Sequence, residues 1–256
     1  MTTALITGGT VGIGHAFALA LAQRGYDLVL ASRDEAGLRE VAEVFRTTYK
    51  ISVEIIPTDL SHRDEVMALA ARVEDPDRPI ELLVNNAGFA VHDSLLDRDI
   101  AHHQRAMDVM CMAMLILSGA AGRAMKARGH GSILNVTSSS AIITTGNYSA
   151  IKAWATVYTE ALSNELRGTG VKVMALMPGW VKTEFHSRGG VKANNLPDFV
   201  WIKVDRLVEQ ALADLARGKV LCVPTAMWAF AVGIGRHLPR RTIRWMSRSL
   251  TQSRQT

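Results

Sequence analysis

The chain has 256 residues, 48% of them apolar, and a formal net charge of +5. That apolar share, over that length, buries one large core, and no linker, low-complexity tract or internal repeat divides it, so one domain over residues 1–256 is predicted. Two cysteines, Cys111 and Cys222, exclude a disulfide-rich scaffold, and the excess charge lies in the tail rather than in a nucleic-acid-binding module: after Asp214 there is no acidic residue, while Arg217, Lys219, Arg236, Arg240, Arg241, Arg244, Arg248 and Arg254 are basic.

In chain order, residues 3–6 read as a short buried strand that runs into Thr7-Gly8-Gly9-Thr10-Val11-Gly12-Ile13-Gly14 and then a helix from His15 to about Arg24. Glycines permit a tight turn and close backbone approach, and the amides at a helix start attract a pyrophosphate. Met1-Thr2-Thr3 leads into this strand without a basic or apolar leader pattern, so a cytoplasmic protein is expected. Further strands are predicted at 27–31, 52–56, 80–85, 132–136, 172–176 and 220–223, with helical patterns between nearly every pair. Such alternation predicts an α/β fold: a doubly wound, Rossmann-type parallel sheet of about seven strands, covered by helices on both faces. Ligands of such sheets sit at the carboxyl ends of the strands.

The segments after those strand ends are Ser32-Arg33, Asp59-Leu60, Asn86-Ala87-Gly88, Ser138 and Pro178-Gly179-Trp180-Val181-Lys182-Thr183. In Asn147-Tyr148-Ser149-Ala150-Ile151-Lys152 a helix sets Tyr148 and Lys152 one turn apart on one face. An ammonium beside a phenol lowers the phenol's pKa, which suits proton exchange near neutral pH. Where an NAD-binding protein of this fold commonly has an acidic residue, Ser32 and Arg33 stand, and an arginine pairs with a 2′-phosphate; NADPH is therefore expected over NAD. His102-His103 lack ligand spacing, and no metal site is predicted.

From Thr3 to about Thr183, and more loosely to Pro224, these motifs and their order resemble the classical short-chain dehydrogenase/reductase family. The resemblance implies hydride transfer between NADPH and a carbonyl or alcohol, with Tyr148 as acid/base, Lys152 holding the nicotinamide ribose and favouring tyrosinate, and Ser138 anchoring the oxygen; Ser139 is the fallback. It implies a cofactor along Thr7, Gly8, Gly12, Ile13 and Gly14, adenine against Asp59 and Leu60, ribose near Asn86, Ala87 and Gly88, and nicotinamide among Pro178, Gly179, Val181 and Thr183. Asp59 is alternatively a helix cap, with Ser61 competing for that role. A homodimer or homotetramer is implied as well.

Two departures from the family pattern stand out. The segment from Ser138 to Tyr148 is short, so its loop is trimmed or the serine displaced. Met110 occupies the place of an asparagine that in relatives bends the long helix, here about residues 100–128, and holds a water behind the lysine. A thioether does not replace an amide, so either the proton is relayed without help or turnover is impaired, which leaves a dinucleotide-binding sensor or structural subunit as the alternative. Residues 185–205, with Gly189-Gly190, Asn194-Asn195, Phe199 and Trp201, read as a lid over a hydrophobic ketone, aldehyde or secondary alcohol, or as ordinary core of the next helix. The extension over 225–256 alternates apolar and basic residues; it either packs over the substrate pocket or a second subunit, or lies on an anionic membrane surface.

Overall fold

The computed structural model describes residues 2–182 and 197–255, with side chains as far as Arg248 except that of Phe199. Seven strands are β1 (Thr3–Thr7), β2 (Asp27–Ser32), β3 (Val53–Pro57), β4 (Leu82–Asn85), β5 (Gly131–Val136), β6 (Val171–Leu176) and β9 (Leu221–Cys222). They form one parallel sheet in the order β3-β2-β1-β4-β5-β6-β9. All seven predicted strands are present, the fourth and the last shorter than expected. The short pair β7 (Trp180–Val181) and β8 (Trp201–Ile202) makes a separate parallel ribbon, too short for its sequence pattern to announce it.

The sheet is buried on both faces, which is why its strands are apolar runs rather than alternating ones. Alternate residues of β1 feed two cores: Ala4 and Ile6 pack with α1 (Gly12–Ala22), α2 (Glu35–Tyr49) and α7 (Val204–Ala216), through Phe17, Phe45 and Leu207. Leu5 points the other way, to α3 (Arg63–Glu74) and α5 (Ala113–Arg128), through Leu69 and Leu117. Because β1 lies between β2 and β4, the chain reverses its winding there. The loops after β1 and β4 therefore open a crevice at their carboxyl ends.

The long helix is continuous from Ala101 to Arg128. It consists of α4 (Ala101–Met107), a π-helical turn (Asp108–Met112) and α5. In that turn the Ala113 amide bonds to the Asp108 carbonyl, five residues back. Met110 lies within this π-helical turn, which a backbone hydrogen bond closes. This helix has the length and composition of a membrane span, but most of it is buried in the protein.

A buried polar chain ties the sheet to the helices that bear the site. Asn85 Nδ2 donates to Ser118 Oγ and Asn135 Oδ1, both at 2.9 Å, and Asn135 Nδ2 donates to Thr159 Oγ1 at 3.0 Å. Each of these four side chains is hydrogen-bonded to another of them, so their burial adds specificity. Thr159 lies on α6 (Asn147–Glu165), which carries Tyr148 and Lys152. Both cysteines are free and buried.

Candidate active site

The turn after β1 is held by side chains rather than left open. The Thr7 hydroxyl accepts from the backbone amides of Asn86 (3.0 Å) and Ala87 (3.1 Å). In return Asn86 Nδ2 donates to the carbonyls of Thr7 (3.0 Å) and Gly8 (3.2 Å). These two predicted cofactor contacts therefore spend their side chains on clamping the crevice, and what they offer a ligand is a fixed backbone. Gly8 and Gly12 have φ of +68° and +60°. A Cβ at Gly14 would collide with the Gly8 carbonyl and the Asn86 amide.

Past this turn α1 begins at Gly12 with no side-chain cap from Val11 and no acidic residue in its first turn. Its first amides are thus available to an anion. Burial lowers the pKa of His15, against the Gly9 backbone beside it. A glycine cradle that a Cβ would fill and uncapped amides together fit a dinucleotide's pyrophosphate. Ile13 is half-buried against the core, and Leu60 is buried in it.

At the end of β2, Ser32 is half-buried and Arg33 exposed. Asp34 faces the other way, capping α2 through the Gly37 amide at 3.0 Å. No carboxylate pairs with Arg33 among the described residues, so its guanidinium remains free to meet a phosphate.

Neither Asp59 nor Ser61 caps α3: the residue before that helix is His62, without a side-chain cap, and Asp59 is engaged otherwise. Its Oδ1 accepts from the amide (2.9 Å) and hydroxyl (2.7 Å) of Ser61, and Oδ2 from Arg105 at 2.6 Å. Burial would raise its pKa, but the Ser61 bonds and the Arg105 charge outweigh burial and hold the carboxyl at about 2. Arg105, on α4, was missed by sequence reasoning, because nothing local announces a partner 46 residues away.

Ser138, Tyr148 and Lys152 come together. Ser138 follows β5 with its Oγ accepting from the Ser140 amide at 3.1 Å, and it lies near enough to Tyr148 to work against the rise of the phenol's pKa. The trimmed segment is one 3₁₀ turn (Ser139–Ile142) leading to Gly146, whose φ of +91° starts α6. Shortening therefore leaves the serine facing the tyrosine, and Ser139 is not the one so engaged. Lys152 Nζ lies 5.7 Å from the Tyr148 ring centroid and donates to the Val136 carbonyl at 3.0 Å.

The expected lowering of the phenol does not occur in this geometry. Burial pushes Tyr148 up to about 12, against the effect of Ser138, and burial pulls Lys152 down to about 8. The ammonium is turned to Val136 rather than to the phenol oxygen, so desolvation decides both shifts. Tyr148 is thereby a proton holder at neutral pH. Met110 is buried, and its Sδ and the Lys152 Nζ both flank Gly88, where a Cβ would lie 3.0 Å and 3.7 Å from them. Cys111, next in the chain, is a thiol that burial pushes up to about 11.

On the nicotinamide side of the predicted site, Pro178 and Val181 are buried, and the Pro178 carbonyl accepts from the Ser139 amide at 2.9 Å. The Trp228 ring lies directly on Gly179, while its Nε1 donates to the Val200 carbonyl at 3.0 Å. Trp228 belongs to α8 (Ala226–His237) and was not anticipated as part of this wall. Thr183 and most of the predicted lid lie outside the described residues. Of the lid's end, Trp201 packs edge-on to Trp180 at 5.8 Å in the β7–β8 ribbon, not in the following helix. The extension also packs on the short 3₁₀ turn: Gly235 abuts Ile142, and the Thr144 amide donates to Ser247 Oγ at 2.9 Å.

Comparison with known proteins agrees with this fold. The short chain dehydrogenase family model matches residues 2–191. An uncharacterized oxidoreductase of Staphylococcus saprophyticus is 33% identical over 183 residues, covering 70% of this chain and 78% of that protein. The ketoacyl reductase HetN of Nostoc is 30% identical over 182 residues, covering 70% of this chain and 63% of HetN. Among solved structures, a short-chain dehydrogenase from Sphingobium yanoikuyae in complex with NADPH superposes with a TM-score of 0.83 at 30% identity, over 92% of this chain and 94% of that one. A bulky-bulky ketone specific alcohol dehydrogenase from Comamonas testosteroni gives a TM-score of 0.78 at 27% identity, over 100% of this chain and 92% of that one. The chain belongs to the short-chain dehydrogenase family of oxidoreductases.

Proposed function

We propose that the protein is an NADPH-dependent carbonyl reductase or alcohol dehydrogenase acting on a hydrophobic ketone, aldehyde or secondary alcohol. The observation that carries this reading is the gathering of Ser138, Tyr148 and Lys152, with the lysine ammonium 5.7 Å from the tyrosine ring. Bound NADPH supplies a hydride. Tyr148, protonated at neutral pH, gives its phenolic proton to the substrate oxygen as the carbon is reduced, and Ser138 holds that oxygen in place. Lys152 would hold the nicotinamide ribose, and its charge would steady Tyr148 as the phenol becomes anionic.

The backbone from Gly8 to Gly14 would hold the pyrophosphate, and Arg33 beside Ser32 the 2′-phosphate. Asp59 and Leu60 would border the adenine, Asn86, Ala87 and Gly88 the ribose, and Pro178, Gly179, Val181 and Thr183 the nicotinamide. The NADPH complex of the Sphingobium relative supports the cofactor, and the ketone specificity of the Comamonas relative supports the substrate class. A homodimer or homotetramer is proposed with it, by analogy with the family.

The test is NADPH oxidation by the purified protein across a panel of bulky ketones and aldehydes, beside NADH. Replacing Arg33 by Ala should cut the NADPH preference by about 10- to 100-fold, the worth of one or two charge-assisted hydrogen bonds. An unchanged preference would remove Arg33 from the phosphate site. A second reading rests on Met110, buried beside Lys152 where relatives place an amide: the chain binds the dinucleotide and does not turn over. Tight NADPH binding with no oxidation on any carbonyl, rescued by Met110→Asn, would favour it.

A further inference from the structure

After Asp214 the chain has no acidic residue, and the structure turns much of this C-terminal stretch outward. On α8, Met227, Phe230 and Ile234 are exposed, Phe230 to 71%. Spaced three and four apart, they form one stripe. The opposite side of that helix is already engaged, through buried Val232 and through Gly235 against Ile142. The next helix, α9 (Arg240–Gln255), is anchored by buried Ile243 and Ser247. Its outer face presents Arg240, Arg241, Arg244 and Arg248 with Trp245, which is 68% exposed.

Among the described residues, three other basic side chains of this region are paired with carboxylates. Arg236 pairs with Glu160 at 2.7 Å, and Lys219 and Arg217 share Asp214 at 3.0 and 3.5 Å. Arg240, Arg241, Arg244 and Arg248 of α9 have no carboxylate partner among the described residues. An exposed apolar stripe thus adjoins unpaired positive charge and a tryptophan, on two helices whose inner sides are already satisfied.

We propose that this face docks on the surface of an anionic lipid bilayer. Guanidinium groups meet the headgroups, Trp245 sits at the boundary where an amphipathic ring is favoured, and the Met227–Phe230–Ile234 stripe enters the acyl edge. The attachment is peripheral, because helices of 12 and 16 residues fall short of the ~20 that span a bilayer. A nucleic acid would use the arginines but has no use for the aliphatic stripe. A second copy related by a two-fold axis through this face would set arginines against arginines. Ser247 and Gly235 root both helices on the 3₁₀ segment beside Tyr148, so docking brings that wall toward the lipid. If the reductase reading is correct, a lipid-dissolved carbonyl then has a short path to the site.

The experiment is flotation of the full chain with vesicles of neutral phosphatidylcholine and with vesicles containing about 30% phosphatidylglycerol. Binding to the anionic vesicles should be at least about tenfold tighter, and should fall as NaCl rises to about 0.5 M, where the Debye length shrinks to a few ångströms. Replacing Arg240, Arg241, Arg244 and Arg248 by Gln should weaken anionic binding at least about tenfold at unchanged circular dichroism. Should that variant fold poorly, Phe230→Ser, which alters one exposed side chain, should still weaken it severalfold. Equal retention on both vesicle types, no retention at about 1 mM lipid, or tighter binding to a DNA duplex than to the anionic vesicles would overturn the proposal. None of these readouts involves turnover, so they fail or succeed independently of the catalytic assignment.

Discussion

Tyr148 and Lys152 show what spacing reveals and what it hides. That the two side chains share a helix face follows from four-residue spacing; the direction of their proton equilibria does not, because it depends on burial by distant elements. Burial holds the phenol near 12 and the lysine near 8. In the protein without added nucleotide, the difference in ultraviolet absorbance between wild type and Tyr148→Phe should show no tyrosinate below about pH 10, the ordinary value for a phenol; ionisation near neutrality would contradict the burial argument. For Lys152, native protein releases its proton near pH 8 while the unfolded chain keeps it to about 10.5. The unfolded state then binds more protons across that window, so stability gains from this group as pH rises through it, and the penalty is fully present below about pH 8. Lys152→Met should accordingly stabilise the fold at about pH 7 by on the order of 1 kcal/mol and flatten the rise seen by urea denaturation. A loss of stability there would mean that the Val136 hydrogen bond outweighs desolvation. Arg105 was invisible for a related reason: its carboxylate partner is brought to it by the sheet.

At the scale of elements, the glycine turn after β1 was legible because it obeys local rules, whereas the clamp that holds it depends on the strand after α3. Gly14→Ala is expected to cost at least about 2 kcal/mol and to weaken NADPH binding, since its methyl would meet the Gly8 carbonyl and the Asn86 amide. Gly233→Ala is the control: it lies within α8, and an added Cβ meets nothing within 4 Å. There the same change should stabilise by roughly 0.5–1 kcal/mol through helix propensity. Thermal denaturation of both variants decides the point, and equal losses would show that neighbouring contacts do not control these sites. The π turn at Met110 went unread as geometry, because the sequence carries no amide there to mark it.

At the scale of the molecule, strand alternation was sufficient to foresee a parallel doubly wound sheet, and all its predicted strands joined one sheet. That the extension packs over the site was one of the readings its sequence left open; the residues that make its seat were not foreseeable. Trp228 on Gly179 and Gly235 on Ile142 are contacts between residues roughly 50 to 90 positions apart, and an apolar-basic pattern is equally compatible with packing and with lipid. The structure divides the pattern between the two: inner faces pack on the site wall, outer faces stay exposed. On the proposed reading this frame positions Tyr148 to deliver a proton to a carbonyl oxygen. Its most direct test is steady-state NADPH oxidation with a bulky ketone by wild type and Tyr148→Phe, each with NADPH affinity measured separately. The account predicts turnover in wild type that falls by about 10²- to 10⁴-fold in the variant while NADPH binding persists; comparable turnover by both would contradict it.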